Sequence, residues 1–117
     1  MKSYLEKSIL SVQFQSPGFV LKTQCQIAKD FMQSGVHFEE IFTNEALSLN
    51  EIIQHISQKL EEILKRGEVA TLQLLYQIDI PQNDFLALTT STNFIPKMCE
   101  LIVRRTAYKV YLRNMFS

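Results

Sequence analysis

The sequence predicts an all-α fold, a single-domain helical bundle of about five helices over residues 1–117. Its composition, 46% hydrophobic and 21% charged, is that of an ordinary globular domain. Three glycines and three prolines provide few turn signals for a sheet of many strands. Apolar residues instead recur at the spacing of an α-helix over most of the chain. With 117 residues, the chain is also long enough to bury a core without disulfide or metal staples.

The segment 2–15 fits two different structures. Ile9 and Val12 are spaced as on one face of a helix, whereas Leu10, Val12 and Phe14 alternate as in a strand. Both interpretations remain open, so an α+β fold with an N-terminal hairpin is the alternative to the all-α bundle.

The first well-marked helix is predicted at residues 17–34. Ser16 is a suitable N-cap, Pro17 suits the first helical turn, and Gly35 is a typical C-terminal stop. The apolar residues of this helix form a wide stripe, which indicates a face that packs against the core. The stripe consists of Val20, Leu21, Cys25, Ile27, Ala28, Phe31 and Met32.

The strongest local signal marks the start of a helix predicted at residues 49–66. Ser48 and Glu51 have the spacing of a capping box, in which each side chain bonds the backbone N–H of the other residue. Gly67 follows the last turn and predicts its end. The core face at helical spacing comprises Ile52, Ile53, Ile56, Leu60, Ile63 and Leu64.

Residues 69–80 are apolar around most of a helical circumference, so a helix there is expected to be buried on several sides. A strand is the rival interpretation, because apolar residues alternate over residues 74–80. The run is long for a strand and lacks a convincing hairpin partner. We therefore predict a helix that ends at Pro81, followed by a short helix near residues 84–88.

The last helix, predicted at residues 94–115, carries much of the positive charge of a chain whose formal net charge is zero. Between residues 95 and 115 there are five bases, Lys97, Arg104, Arg105, Lys109 and Arg113, and one acid, Glu100, a net charge of +4. The acids cluster between residues 30 and 62. We expect Glu39, Glu40 and Glu45 to be the acids that meet the last helix, and the helices at 49–66, 69–80 and 94–115 to form the core.

The last helix has two apolar sides when it is projected at about 100° per residue. One side comprises Met98, Leu101, Ile102, Leu112 and Phe116, and the other, roughly 140° away, comprises Cys99, Val103, Ala107 and Val110. This helix has more apolar surface than one neighbouring layer would cover, so we expect a homo-oligomer or a protein partner. Tyrosine and arginine suit such part-buried settings. The expected interface residues are Arg104, Tyr108, Tyr111, Arg113, Met115 and Phe116.

A small nucleic-acid-binding regulator is the alternative function, with Arg104, Arg105, Lys109 and Arg113 on phosphates. Two observations oppose it. Base-reading residues should lie at the start of a recognition helix, whereas these arginines come two to three turns later. The sequence pI of about 6.7 also lacks the strongly basic character of such domains. The sequence therefore favours a protein partner over a nucleic acid.

Catalytic and cofactor motifs are not evident in the sequence. The compact candidates for a metal site are His37 with Glu39 and Glu40, with His55 far away in sequence. Neither cysteine lies in a nucleophile motif, and the three glycines are scattered singly rather than in a phosphate-binding loop. We therefore predict a non-enzymatic protein with no cofactor and no metal.

The sequence predicts a cytoplasmic protein with no membrane partner. Cys25 and Cys99 are isolated thiols, which suits a reducing compartment better than a disulfide framework. The N-terminal residues include Glu6 and Lys7, which interrupt any apolar run of signal-peptide length. No window reaches the roughly 18 to 20 apolar residues of a membrane-spanning helix.

Residues 74–80 and 101–111 together resemble the C-terminal half of some short, uncharacterised bacterial proteins. The resemblance implies a helical fold and a cytoplasmic, bacterial origin, and it implies no activity. The expected function is thus a non-enzymatic, self-associating helical protein-interaction module.

Overall fold

The computed structural model describes residues 4–116, which form helices joined by short connections. The helices are α1 (Lys7–Gln13), α2 (Pro17–Met32), α3 (Glu40–Asn44), α4 (Leu49–Lys65), α5 (Glu68–Ile78), α6 (Gln82–Thr89) and α7 (Phe94–Phe116). No strand occurs in the described part of the chain. The all-α prediction is therefore confirmed, and the alternative with an N-terminal hairpin is wrong.

The described residues form seven helices rather than five, because residues 2–15 were left open between helix and strand and the short helix α3 was not predicted. In neither helix does the N-cap side chain accept a hydrogen bond from the first turn, so the local sequence provides little signal for either start. Helices this short are not stable alone in water. Burial of Leu10 in α1 and of Phe42 in α3 holds them against the rest of the bundle.

Helix α7 lies at the centre of the bundle and is packed by neighbours on both of its apolar sides. Met98, Ile102, Cys99 and Val103 are all buried, as the two-sided projection predicted. Helices α4 and α2 provide the largest contacts with α7, and α1, α5 and α6 pack around them. The core thus includes α2 as well as the three helices expected from the sequence, with Phe31 of α2 completely buried.

The start of α4 has the capping box that the sequence predicted. Glu51 N donates to Ser48 Oγ at 3.2 Å, and Ser48 N donates to Glu51 Oε1 at 3.1 Å. Glu51 Oε1 accepts from Ser48 N and also from Ser48 Oγ, the latter at 2.9 Å, and these two hydrogen bonds lower the pKa of Glu51. Helix α2 begins at Pro17 as predicted, although the Ser16 side chain makes no capping bond there.

Helix α5 differs from its prediction in two ways. It is not buried on several sides, because Val69, Leu72 and Tyr76 are exposed, with Tyr76 78% exposed. It also ends at Ile78 rather than at Pro81, because the next residue, Asp79, adopts the left-handed conformation with φ 64° and ψ 43°. Left-handed residues terminate helices, and aspartate tolerates this conformation better than most non-glycine residues.

A buried amide joins α2 to the segment around α3. Gln24 Nε2 donates to the carbonyl oxygens of Phe42 and Glu45, each at 2.8 Å. Gln24 Oε1 accepts from Leu47 N at 2.8 Å. Gln24 thereby satisfies three backbone groups of the irregular chain around the end of α3, which lets this segment pack against α2.

Candidate interaction surfaces

One face of α7 lies opposite its fully buried residues and carries four of the six expected interface residues, of which Tyr108 and Tyr111 still pack in part against the core. Arg104, Tyr108, Tyr111 and Met115 recur at the spacing of one helical face, on the side opposite the buried residues. Arg104 and the tyrosines are half-buried, and Met115 is 58% exposed. We call these four residues the outer stripe; it runs for about 16 Å along the helix axis.

The N-terminal segment covers one end of the outer stripe. Arg104 Nε donates to the Leu5 carbonyl oxygen at 2.8 Å, and Leu5 N donates to the Arg104 carbonyl oxygen at 3.0 Å. The Arg104 guanidinium carbon also lies 6.0 Å from the centre of the Tyr4 ring. Tyr4 Oη in turn donates to Asp84 Oδ2 at 2.7 Å. Arg104 is thus held by the N-terminal segment, whereas exposure increases along the stripe from the half-buried tyrosines to the exposed Met115.

Two further α7 cations contact the C-terminal end of α5. Arg105 Nε donates to Ile78 O at 3.4 Å, and Lys109 Nζ donates to Gln77 O at 3.2 Å. Arg105 Nη2 and Lys109 Nζ also lie 3.5 and 3.3 Å from Asp79 Oδ2. Terminal carbonyls carry the negative end of the helix dipole, so these cations stabilise the end of α5.

The acid that meets α7 here is therefore Asp79, and the expectation of Glu39, Glu40 and Glu45 is wrong. Glu39 instead forms an ion pair with α4, where Lys59 Nζ lies 2.7 Å from Glu39 Oε2. The hydrogen bond from Lys59 lowers the pKa of Glu39. Glu100 of α7 pairs with Lys7 of α1 at 3.0 Å.

Arg113 lies on a different side of α7, facing α2. Its Nη2 donates to Gln26 Oε1 at 3.2 Å, and Gln26 Nε2 donates to Asp30 Oδ1 at 3.0 Å. Burial raises the pKa of Asp30, and its second carboxylate oxygen has no hydrogen-bond partner. Phe116, 80% exposed, projects about 100° from Met115. The six expected residues therefore divide into the outer stripe, Arg113 toward α2, and Phe116 at the end of the helix.

The four residues of the nucleic-acid alternative do not form one open surface. Arg104, Arg105 and Lys109 direct donors at backbone carbonyls of this chain, at Leu5, Ile78 and Gln77 respectively. Arg113 is exposed on the side that faces α2.

The structure brings His55 and Glu39 together, although they are distant in sequence. His55 Nδ1 lies 3.6 Å from Glu39 Oε1. Within residues 4–116, no group of three or more His, Cys, Asp and Glu side chains could hold a metal ion. Cys25 is exposed, whereas Cys99 is buried, and this burial raises the pKa of its thiol to about 12.

No protein-family model, curated protein or solved structure matches this chain. None of the helices within residues 4–116 has both the length and the apolar character needed to cross a membrane.

Proposed function

We propose that this chain is a non-enzymatic helical interaction module that pairs with a second copy of itself through the outer stripe of α7. The observation that carries the proposal is that Tyr108, Tyr111 and Met115 lie on the side of α7 opposite its fully buried residues, where the two tyrosines pack against the core but remain partly exposed. Large side chains of these types are enriched at protein interfaces, where they bury area at low entropic cost.

The stripe is self-complementary when two copies run antiparallel across a two-fold axis near Tyr108. In that arrangement Tyr111 of one copy lies opposite Arg104 of the second copy, beside the Tyr4 ring that packs on this guanidinium, because residues 104 and 111 are nearly equidistant from the axis. A guanidinium over a tyrosine ring contributes about 0.5–1 kcal/mol at exposed sites. The same symmetry places Met115 opposite Leu101, which is half-buried in the single chain. These pairings favour a second copy as the occupant.

Sedimentation equilibrium over a dilution series from micromolar to millimolar chain tests the proposal. The wild type is expected to be a dimer that dissociates on dilution, and Met115→Glu is expected to remain a monomer. Tyr76→Glu is the matched control, because Tyr76 is also an exposed hydrophobic residue but lies on α5. A monomeric wild type at the highest concentration, or equal effects of the two substitutions, would contradict the proposal.

A cross-link tests the predicted symmetry directly. In a Cys25→Ser background, Tyr108→Cys places a thiol near the axis in both copies, and an added oxidant converts the two thiols to one disulfide. A covalent dimer is expected for this variant and not for Tyr76→Cys. Dimers that form only with Tyr76→Cys would place the interface on α5.

A further inference from the structure

A groove runs between α2 and the C-terminal end of α7, on the side of α7 away from the outer stripe. Its volume is about 630 Å³. Half-buried Leu21 and buried Val110 form an apolar part of its lining. The α2 wall extends from Gly18 to Lys29, a length of about 16 Å at 1.5 Å per residue. This length matches about three turns of a helix.

Three cations line the groove, and their surroundings differ from those of Arg105 and Lys109 on α7. Lys22 and Lys29 are exposed on α2, two turns or about 10 Å apart, and Arg113 faces them from α7. None of the three forms an ion pair with a carboxylate of residues 4–116. The groove therefore combines an apolar lining with three cations that form no ion pair with a carboxylate of residues 4–116.

Arg113 is held in position by a chain of hydrogen bonds that begins in the interior. The buried carboxylate of Asp30 accepts from Gln26, and Gln26 accepts from Arg113 at 3.2 Å. Gln26 thereby fixes one guanidinium nitrogen and leaves other donors of Arg113 for a ligand. Partial fixing of a long side chain lowers the entropy lost when it binds an anion.

We infer that this groove binds an acidic amphipathic helix of a partner protein. Carboxylates two turns apart on such a helix would reach Lys22 and Lys29, and its apolar face would cover Leu21 and Val110. Grooves with apolar linings recognise helices through residues at i, i+3, i+4 and i+7. A nucleic acid would pair its phosphates with the cations but would leave the apolar lining uncovered.

Gly18 provides a substitution that fills the groove without disturbing the fold. A Cβ added at Gly18 meets nothing within 4 Å, and the residue is not in the left-handed region. Leucine is also a better helix former than glycine. Gly18→Leu should therefore fold normally while its side chain occupies space next to Leu21. A thermal unfolding temperature of this variant equal to or above that of the wild type checks this assumption.

A display library of random 16-residue peptides tests the inference in two steps. Peptides that bind the wild type are kept, and those that also bind Gly18→Leu are then removed. Peptides that survive both steps bind in a groove-dependent manner. They are expected to be net acidic, with apolar residues at helical spacing. Survivors that are basic or uncharged, or an absence of groove-dependent survivors, would overturn the inference.

The strongest survivor, synthesised with a fluorophore, gives a quantitative test by fluorescence anisotropy. Its Kd is expected to rise about tenfold for the double variant Lys22→Gln, Lys29→Gln, and also on raising the salt concentration. The double variant Lys65→Gln, Lys97→Gln is the matched control, because it removes equal charge elsewhere. Equal Kd values for the two double variants would contradict the inference.

Cys25 reports on occupancy, because its exposed thiol lies in the groove lining whereas Cys99 is buried. The acidic peptide is expected to slow alkylation of Cys25. A version of the peptide with lysine at each acidic position is expected to leave the alkylation rate unchanged. Protection by a mixed-sequence DNA duplex, with none from the acidic peptide, would show that the groove binds nucleic acid instead.

Discussion

Two groups of cations on and around α7 have the same chemistry but different surroundings. Arg105 and Lys109 contact the last carbonyls of α5 and the carboxylate of Asp79, and the Lys109 side chain is only 19% exposed. Lys22 and Lys29 line an open groove and pair with no carboxylate of the described residues. Positive charge on a helix can therefore stabilise a neighbouring helix or remain available to a partner, and only the three-dimensional neighbours distinguish the two.

The largest expected effect in the first group follows removal of Asp79. Asp79→Ala loses the carboxylate and forces alanine into a left-handed conformation, so we expect a loss of about 2 kcal/mol in the free energy of unfolding. Asp79→Asn keeps a residue that tolerates this conformation and should lose about 0.5 kcal/mol, measured by urea denaturation. Equal losses for the two variants would show that conformation contributes nothing and that the ion pairs dominate.

Arg104→Gln should have a smaller effect of about 1 kcal/mol, because it removes one hydrogen bond to the Leu5 carbonyl oxygen and the contact with Tyr4. Faster hydrogen exchange at the Leu5 amide is expected with it, since that amide bonds the Arg104 carbonyl oxygen. Arg113→Gln is the matched control from the groove and should change stability by less than about 0.5 kcal/mol. A larger loss for Arg113→Gln would reverse the assignment of these two arginines.

The buried side chain of Asp30 predicts that the stability of the fold depends on pH. Burial raises its pKa in the folded state, so its contribution to stability is fully present below the ordinary aspartate pKa and is lost as pH rises through the folded value. Asp30→Asn does not titrate. The thermal unfolding temperature of Asp30→Asn, compared with that of the wild type at the same pH, should therefore increase as the pH is raised from about 4 to about 7. A constant difference across that range would mean that the pKa of Asp30 is not raised.

The parts of the fold that were predicted correctly depend on signals close together in sequence. Ser48 and Glu51 are three residues apart and specify the start of α4 without help from the rest of the chain. The end of α5 was placed at Pro81, because the left-handed conformation of Asp79 has no equally strong local signal. Helix α3 was missed because it depends on burial of Phe42 and on bonds from the distant Gln24.

The candidate surfaces were predictable only in part, for the same reason. Helical spacing was sufficient to group Arg104, Tyr108, Tyr111 and Met115 on one face, because all four belong to α7. The groove was missed because Lys22 and Arg113 belong to helices far apart in sequence. The i, i+7 spacing of Lys22 and Lys29 on α2 can be read from the sequence, but the sequence alone does not predict that α7 packs beside them.

The most direct test of this division of cations is the free energy of unfolding of two matched variants, Lys109→Gln and Lys29→Gln, measured by urea denaturation at neutral pH. Both substitutions remove one lysine charge from a helix. We predict a loss of about 1–2 kcal/mol for Lys109→Gln, because it leaves the end of α5 and Asp79 without this cation. We predict a change within about 0.5 kcal/mol for Lys29→Gln. Equal losses for the two variants would contradict the claim that Lys109 stabilises the fold whereas Lys29 does not.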